Sequence, residues 1–332
     1  MPSELILSPR RLSEVASRYG LRLEGPDREI VALGPLSSRS AHRARMLTYV
    51  TSERWAAELG GAGIGAAIVP AALAGDPVEG ASRLVASGDP EAIFYSVLAD
   101  TAEAGEWERL AGSVGEGAVI APSAVIEDGV VIGADCRIMP GAVLLPNTRL
   151  GDRVTIKPNA TLGGDGFQVR EIHGRRRVVP HAGGVEIGDD GMVGSQTCVD
   201  RGLFGDFTTV GPGSHVDNLV HVAHSVTIGR DVAVIACAEI SGSVTIGDGA
   251  WIGPRAAINP SLDLGAHCFI GTGSVVVSDV PAYALAYGSP ARAAAWMCAC
   301  RAKLTFAEDR ATCGNCGRAF ALVEGQRVHA LV

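Results

Sequence analysis

The sequence is poor in aromatic residues and contains no long apolar run. Phe, Tyr and Trp together make up 5% of the 332 residues, whereas glycine occurs 43 times. A chain of this length exceeds one typical domain, so two or three units are expected. Because no stretch of 18 consecutive apolar residues occurs, no membrane-spanning helix is predicted. This composition suits a core of stacked Val, Ile and Leu.

The chain also lacks an excess of basic charge and a signal peptide pattern. Its formal net charge of −8 argues against general nucleic-acid binding. The first residues carry charges at Glu4, Arg10, Arg11 and Glu14 and show no apolar core of the kind that signal peptides have. We therefore expect a cytoplasmic protein.

What the sequence has instead is a six-residue repeat of aliphatic side chains between residues 114 and 276. Neither helical periodicity nor strand alternation gives this spacing, whereas a hexapeptide β-helix does, with three hexads in each triangular coil. The aliphatic residue of each hexad should point inward and stack on the coils above and below. The repeat therefore predicts a mainly β protein built on a left-handed parallel β-helix. The inward positions are Val114, Ile120, Ile126, Ile132, Ile138, Leu144, Leu150, Ile156, Leu162, Ile187, Val193, Val199, Val210, Val216, Val222, Ile228, Val234, Ile240, Ile246, Ile252, Ile258, Leu264, Ile270 and Val276.

Small residues accompany these inward positions. Glycine follows the inward residue at half of them, where we expect sharp corners whose backbone angles favour glycine. The fourth residue after the inward one is usually small, and Cys136 and Cys268 occupy that place. Cys198 and Cys237 are isolated within the repeat. We expect all four cysteines to be small apolar fillers.

Residues 1–100 lack the repeat and alternate short apolar runs with helical patterns, which predicts a small α/β domain. Ser8-Pro9 is typical of a helix N-terminus, and Gly20 of the end of that helix. Two further helices are predicted, through Trp55–Leu59 and from Glu91 to Asp100.

A loop insertion interrupts the repeat at residues 163–186. It carries a cluster of basic residues, and long excursions from a solenoid are either solvated decoration or walls of a binding site. On an acidic protein, the cluster favours an anionic ligand over decoration. Its members are Arg170, Arg175, Arg176, Arg177 and His181.

Three of the eight histidines, His215, His221 and His224, lie within ten residues. Strand alternation points the first two outward, and His224 falls at a corner. With three hexads per coil, Gly242 lies one coil above His224, about 4.8 Å along the axis, and Pro260 lies one coil further. In such a column the imidazole could act as general base, and the bare glycine N–H one coil above could donate a hydrogen bond to the oxyanion. The alternative is a surface histidine beside a turn glycine.

Four cysteines lie close together near the C-terminus, as Cys298-x-Cys300 and Cys313-x-x-Cys316. Two close pairs in short turns suit tetrahedral Zn²⁺, whose thiolate ligands form two knuckles. Two disulfides are the alternative, disfavoured in a chain without a secretion signal. Four thiolate ligands leave no open coordination position, so the predicted zinc is structural and does no chemistry.

Three segments resemble the UDP-3-O-(3-hydroxyacyl)glucosamine N-acyltransferases of lipid A biosynthesis. They are Gly164-Asp165-Gly166-Phe167, Asp200-Arg201-Gly202, and the run from Asp217 to His224 that continues to Gly229. The resemblance implies a homotrimeric β-helix enzyme with its active site between subunits. It places the catalytic base at His224 and the oxyanion amide at Gly242, and Asp217 would orient the base.

That family binds uridine through two aromatic residues six positions apart with a polar residue between them. Tyr49, Ser52 and Trp55 match this spacing, although rings so spaced can also be plain core. The resemblance therefore implies a uridine-binding N-terminal domain. The candidate substrate-binding residues are Tyr49, Ser52, Trp55, Asp165, Phe167, Asn218 and His221.

The chain departs from the family in two places. Ser261 stands where the family has a second histidine, and serine cannot act as a cationic partner, which leaves the donor and acceptor open. The family's terminal helices, which help to recognise acyl carrier protein, are replaced by another ending. That ending begins with Tyr287–Arg292, which resembles the exit segment of hexapeptide acetyltransferases that act on nucleotide sugars.

The leading functional hypothesis is N-acyl transfer to the amine of a UDP-linked amino sugar, from an acyl carrier protein thioester carrying a 3-hydroxyacyl group. An acetyl-CoA-dependent nucleotide-sugar N-acetyltransferase is the runner-up. A metal-dependent hydratase of the carbonic anhydrase type would use His215, His221 and His224 but would leave the N-terminal domain unexplained. A non-catalytic binding or scaffold protein is the remaining alternative.

The predicted organisation has four parts. They are a uridine-binding-like α/β domain at 1–100, a linker at 101–113, the β-helix at 114–280, and an exit segment with a zinc-ribbon-like domain at 281–332.

Overall fold

The computed structural model describes residues 4–38, 41–75, 81–323 and 327–331. The chain divides into two compact units. The first contains Met1–Arg109, Asp165–Gly183 and Gly202–Asp206, and the second contains Leu110–Gly164, Gly184–Arg201 and Phe207–Val332. Among the helices of the described residues, none is both long and apolar enough to cross a membrane.

The first unit is built on a six-stranded sheet with the order β1-β3-β4-β5-β6-β2. The four central strands are parallel, and β1 and β2 pair antiparallel at the two edges. The strands are β1 Leu5–Arg11, β2 Arg22–Glu24, β3 Glu29–Leu33, β4 Met46–Tyr49, β5 Ala66–Pro70 and β6 Ser82–Ala86. The helices are α1 Leu12–Tyr19, α2 Glu53–Ala62 and α3 Pro90–Glu103, with short 3₁₀ turns at Arg43–Arg45 and Ala71–Leu73.

Helix α1 ends as predicted, at Gly20 with a left-handed φ of 65°. Its predicted start at Ser8-Pro9 is wrong, because these residues lie inside the edge strand β1. The register of β1 on β3 shifts between Ile6 and Arg10. An edge strand at such an irregularity tolerates a proline that cannot donate a hydrogen bond.

The insertion forms an antiparallel hairpin of Val169–Ile172 and Arg175–Val178 that packs within the first unit. Arg170 lies 3.5 Å from the Glu91 carboxylate, and Arg177 pairs with Glu103 at 3.0 Å, both on α3. These two arginines therefore already have acidic partners within the protein. This finding weakens the expectation that the basic cluster serves an anionic ligand.

The second unit is the predicted left-handed parallel β-helix, and the fold prediction is confirmed. Each inward residue ends or nearly ends a short strand, and from Ile132 to Val276 all of them are at most 2% exposed. The first face carries Ser113–Val114, Val131–Ile132, Thr148–Leu150, Gly184–Ile187, Phe207–Val210, Thr227–Ile228, Thr245–Ile246 and Asp263–Leu264. The second carries Val119–Ile120, Arg137–Ile138, Thr155–Ile156, Met192–Val193, His215–Val216, Ala233–Val234, Trp251–Ile252 and Phe269–Ile270. The third carries Val125–Ile126, Val143–Leu144, Thr161–Gly164, Cys198–Asp200, His221–Val222, Glu239–Ile240, Ala257–Ile258 and Val275–Val276.

The glycines that follow the inward residues are needed for space rather than for backbone angle. A Cβ on Gly133 would lie 2.3 Å from the backbone oxygen of Gly151 in the next coil, and its φ is not left-handed. The left-handed corner falls two residues later, at positions such as Asn159 and Ser243. The predicted reason for these glycines is therefore wrong in general, although Gly163 does have a left-handed φ of 85°.

The cysteines of the repeat divide into two kinds. Cys136 and Cys268 are buried, as predicted for small fillers. Cys198 and Cys237 are exposed, so the prediction is wrong for them. Cys198 directly precedes the inward Val199 on its strand, and strand alternation therefore turns it outward. Cys237 occupies a left-handed corner with φ 62°.

Beyond the last coil, Ala284–Gly288 adds to the second face, parallel to Phe269–Ile270, and Ala291–Met297 and Lys303–Leu304 follow antiparallel. A three-stranded antiparallel sheet of Arg310–Thr312, Ala319–Val323 and Arg327–Ala330 completes the described chain. We call residues 298–331 the C-terminal module. Its small core contains Leu304, Phe320 and Val328 together with Cys298 and Cys313.

Candidate active site

The corners of the β-helix have a recurring hydrogen bond. The backbone N–H of the second residue after an inward position donates to the side chain that occupies the same place one coil above. This bond satisfies an N–H that the strand ladders leave unpaired. The donor and acceptor pairs are Ala134 with Asp152 (2.8 Å), Asp152 with Asp189 (2.9 Å), Ser195 with Asn218 (2.8 Å) and Arg230 with Asp248 (2.8 Å).

The corner column that contains His224 departs from this pattern. Gly242 lies one coil above His224 and Pro260 one coil above Gly242, as the backbone bonds from Ser243 N–H to His224 O and from Ser261 N–H to Gly242 O show. Proline offers no side-chain acceptor. Within the described part of the chain, the Gly242 N–H donates no hydrogen bond. It remains available to an oxygen atom of a ligand.

The imidazole of His224 lies directly against Gly242. A Cβ placed on Gly242 would be 2.8 Å from both Cε1 and Nε2 of His224. His224 Nδ1 is 3.4 Å from Ser225 Oγ, so Nε2 is the nitrogen that lies toward Gly242. The predicted column of imidazole and glycine is thus present in the structure. An uncapped corner N–H is not sufficient by itself, since Ala236 below Pro254 has one too among the described residues.

Ionisable side chains surround His221 on the neighbouring strand face. His221 is exposed and pairs in register with Cys198 below and Glu239 above. Its Nε2 lies 3.6 Å from Asp200 Oδ2. Ser241, which precedes Gly242, donates from its Oγ to Glu239 Oε1 at 2.9 Å.

Sequence reasoning missed Asp200, Glu239 and Ser241 as members of this surface. The coil length could have found Glu239, because it follows His221 by the same interval that separates Gly242 from His224. The same count could not find Asp200, because this coil is longer: Cys198 pairs with His221, 23 residues further along the chain.

Asp217 and Asn218 lie at a different corner, after the second face, and the structure does not bring them to His224. Asn218 Oδ1 accepts the Ser195 N–H and closes its own corner. His215 likewise belongs to the second face, whereas His221 belongs to the third. The three histidines form no metal-ligand group among the described residues.

Tyr49 and Trp55 of the first unit line one cavity of about 390 Å³, whose other walls are formed by Glu91, Ser37, Thr51 and apolar residues. Trp55 is 41% exposed, and the Tyr49 hydroxyl donates to Glu91 Oε1 at 2.8 Å. Burial raises the pKa of Tyr49, so it stays protonated.

The other predicted substrate-binding residues of the first unit do not line this cavity. Ser52 is exposed and lies outside its walls. Asp165 and Phe167 are also outside them, and Phe167 is 82% exposed.

The four C-terminal cysteines converge as predicted. Their Sγ atoms lie within 4.8 Å of one another, and the pairs Cys298–Cys316 and Cys300–Cys313 are each 3.5 Å apart. Tetrahedral Zn²⁺ with Zn–S bonds near 2.3 Å requires S···S distances of about 3.8 Å.

Nearby N–H groups favour thiolates at two of these cysteines. The side-chain amide of Asn315 is the largest cause that lowers the pKa of Cys300 to about 6. The backbone N–H groups of Cys316 and Asn315 lower the pKa of Cys313. Burial raises the pKa of Cys298, so the fit of this donor set to a zinc ion rests on the convergence of its four sulfur atoms.

Comparison with known proteins agrees with this architecture. The bacterial transferase hexapeptide family model (six repeats) matches residues 113–143, 129–164 and 243–278. A solved UDP-N-acetylglucosamine acyltransferase from Bacteroides fragilis aligns with a TM-score of 0.51 and 27% identity over 57% of this chain and 72% of that one. One from Campylobacter jejuni also gives a TM-score of 0.51, at 23% identity over 56% of this chain and 71% of that one, and supports the fold alone.

Curated relatives share sequence with this chain. UDP-3-O-acylglucosamine N-acyltransferases from Xylella fastidiosa and Leptospira biflexa are 42% and 46% identical over 77 and 74 residues, or 23% and 22% of this chain. These alignments span only about a fifth of each relative, 22% and 21%. The protein of that name from Nitratidesulfovibrio vulgaris is 39% identical over 259 residues, which covers 70% of this chain and 73% of the relative. On that evidence the chain belongs to the UDP-3-O-acylglucosamine N-acyltransferase family.

Proposed function

We propose that this protein transfers an acyl group from a thioester to the amine of a UDP-linked amino sugar, as a step of lipid A biosynthesis. The observation that carries the proposal is the column in which the His224 imidazole lies against Gly242, whose N–H has no acceptor among the described residues. A base beside an uncommitted amide donor is what acyl transfer to an amine requires. The names of the relatives support the substrate class.

The reaction can be written with the groups of this column. The amine nitrogen attacks the thioester carbonyl, and His224 Nε2 accepts the proton that the nitrogen releases. The Gly242 N–H donates to the carbonyl oxygen as it gains negative charge. When the C–S bond breaks, the proton on His224 passes to the departing thiolate. A C–N bond replaces the C–S bond, and the histidine returns to its neutral form.

Binding of the nucleotide belongs, in this proposal, to the first unit. The cavity with Tyr49 and Trp55 offers one half-buried ring and one exposed ring, against which a uracil could stack. Because Trp55 is 41% exposed, its replacement by alanine should leave the fold intact. We expect Trp55→Ala to raise the KM for the UDP-sugar several-fold with little change in kcat, and steady-state kinetics would show it. An unchanged KM would assign the ring to packing.

The four-cysteine cluster is proposed to bind one structural Zn²⁺ per chain. All four donors are sulfur, which leaves no position for substrate, so the metal takes no part in acyl transfer. Elemental analysis of protein purified without chelators should find one zinc per chain.

In this proposal the protein is a homotrimer in the cytoplasm, and the acyl donor is a 3-hydroxyacyl carrier protein. Mass spectrometry of products tests it directly: the protein is incubated with UDP-amino sugars and either hydroxyacyl carrier proteins or short acyl-CoAs. A hydroxyacylated UDP-sugar amide is the expected product. An acetylated product would favour the acetyl-CoA-dependent alternative, which Ser261 and the exit segment suggest, and no product from any pair would refute acyl transfer.

A further inference from the structure

The C-terminal module makes a specific contact with the outer face of the β-helix. Arg301 follows the ligand pair Cys298 and Cys300, in a tight turn closed by the bond from its own N–H to Cys298 O at 2.7 Å. Its guanidinium carbon lies 4.2 Å from the ring centroid of Trp251. Trp251 in turn stacks on Phe269, with centroids 5.5 Å apart and planes 5° from parallel. The turn that supplies two sulfur ligands therefore also holds a cation over an aromatic pair of the last coils.

A second contact joins the core of the module to the last corner of the β-helix. The rings of Tyr283 and Phe320 meet edge to face, with centroids 5.3 Å apart. On its other side Tyr283 stacks on His267 at 5.1 Å. The Met297 N–H also donates to Tyr283 O at 2.7 Å. Phe320 is fully buried, so this contact depends on the module being folded.

The module is too small to fold on apolar burial alone. Among the described residues its core has six buried members, of which Cys298 and Cys313 are two of the proposed ligands. Chains below about 40 residues usually need a metal or disulfides to stay folded. Binding of a structural metal then supplies the folding free energy of such a unit.

We infer that the C-terminal module is a zinc-dependent cap on the β-helix: Zn²⁺ on the four cysteines folds the module, and the folded module holds the last coil closed through Arg301 and Phe320. The inference rests on the proposed zinc site. The inward residues of the last coil, Leu264, Ile270 and Val276, are at most 2% exposed. Loss of the metal unfolds the module and loosens the coil beneath it.

Hydrogen exchange measured by mass spectrometry tests the cap without using catalysis. The zinc-loaded protein is compared with protein stripped by a chelator under reducing conditions. We expect amides of residues 263–288 to exchange about tenfold faster or more without zinc, whereas amides of residues 137–162, several coils away, keep their rates. Equal protection of residues 263–288 in both forms would overturn the cap, even if zinc binds.

Two variants separate metal binding from docking. Cys300→Ser should lose zinc and reproduce the exchange pattern of stripped protein, whereas Cys237→Ser, at an exposed cysteine of the β-helix, should keep both zinc and protection. Arg301→Ala should keep one zinc per chain and lose protection around Trp251 and Phe269. Full protection in Arg301→Ala, or zinc retained in Cys300→Ser, would count against the inference. Because no substrate is present, failure of the acyl-transfer proposal would leave these readings unchanged.

Discussion

Two corners of the same β-helix use one backbone turn in different ways. At Arg230 the corner N–H donates to Asp248 Oδ1 at 2.8 Å, and the corner is closed. At Gly242 the residue one coil above is Pro260, which has no acceptor, and the coil below contributes the His224 imidazole. In the proposed function, the site is the corner where the side-chain acceptor is absent and the His224 imidazole lies beside the uncapped Gly242 N–H.

The largest effect is expected when the base is removed. His224→Ala should lower kcat by about 100-fold or more, because no other group of the column can accept the amine proton. His215→Ala is the matched control, since His215 is also exposed but lies on the second face. It should retain normal turnover. Near-normal kcat in His224→Ala would remove the base from the mechanism.

Filling the space beside the amide should have the next largest effect. In Gly242→Ala the new Cβ would meet the imidazole at 2.8 Å, so His224 must move away from its position in the column. We expect kcat to fall by about tenfold to 100-fold, since small displacements of a reacting group are costly. Gly88→Ala adds a Cβ to open space and should leave kcat unchanged. Equal kcat in the two variants would show that the close approach is not used.

Placing a side-chain acceptor above the Gly242 N–H should also lower kcat, but by less than the Gly242→Ala change. Pro260→Asp would offer a carboxylate to the Gly242 N–H, as Asp248 does for Arg230, and compete with the substrate oxygen. We expect kcat to fall by about tenfold without loss of stability. Pro254→Asp makes the same change above Ala236, away from His224, and should leave kcat unchanged. The same kcat in both variants would argue that the Gly242 N–H is not the oxyanion donor.

Removing the side-chain acceptor at a capped corner should lower the stability of the protein slightly and leave kcat unchanged. Asp248→Ala removes the acceptor of the Arg230 N–H and should lower the free energy of unfolding by ~0.5–1 kcal/mol. Asp248→Asn keeps an acceptor oxygen and should restore most of that loss. Denaturant unfolding of both variants gives the difference, and kcat should stay normal. A clear drop in kcat would contradict the division between closed and open corners.

The six-residue repeat was sufficient to predict the fold because each inward residue contacts only the coils next to it. The same regularity placed Gly242 beside His224 by counting one coil along the chain. Asp217 was expected to orient the base, but it follows the inward Val216 on the second face, whereas His224 follows Val222 on the third, so the two residues lie at different corners. Cys237 looked like a filler because the sequence does not show where the left-handed corner falls.

Outside the repeat, prediction depended on local propensity and was less exact. The helix boundary at Gly20 followed from a glycine that takes a left-handed φ. Ser8-Pro9 has the pattern of a helix start, but pairing of β1 with β3 overrides it.

The strand that the C-terminal ending adds to the second face of the last coil also bears on how the protein can assemble. At the first coil, Val114, Val119 and Val125 are 58%, 63% and 48% exposed, and their strands are the outermost of the three faces. Open strand edges with apolar side chains recruit further strands. Deleting residues 281–332 would also free the second face of the last coil, where Ala284–Gly288 pairs with Phe269–Ile270, so that one molecule could add to the next head to tail and grow into a filament. We therefore expect the C-terminal ending to block such growth on the second face.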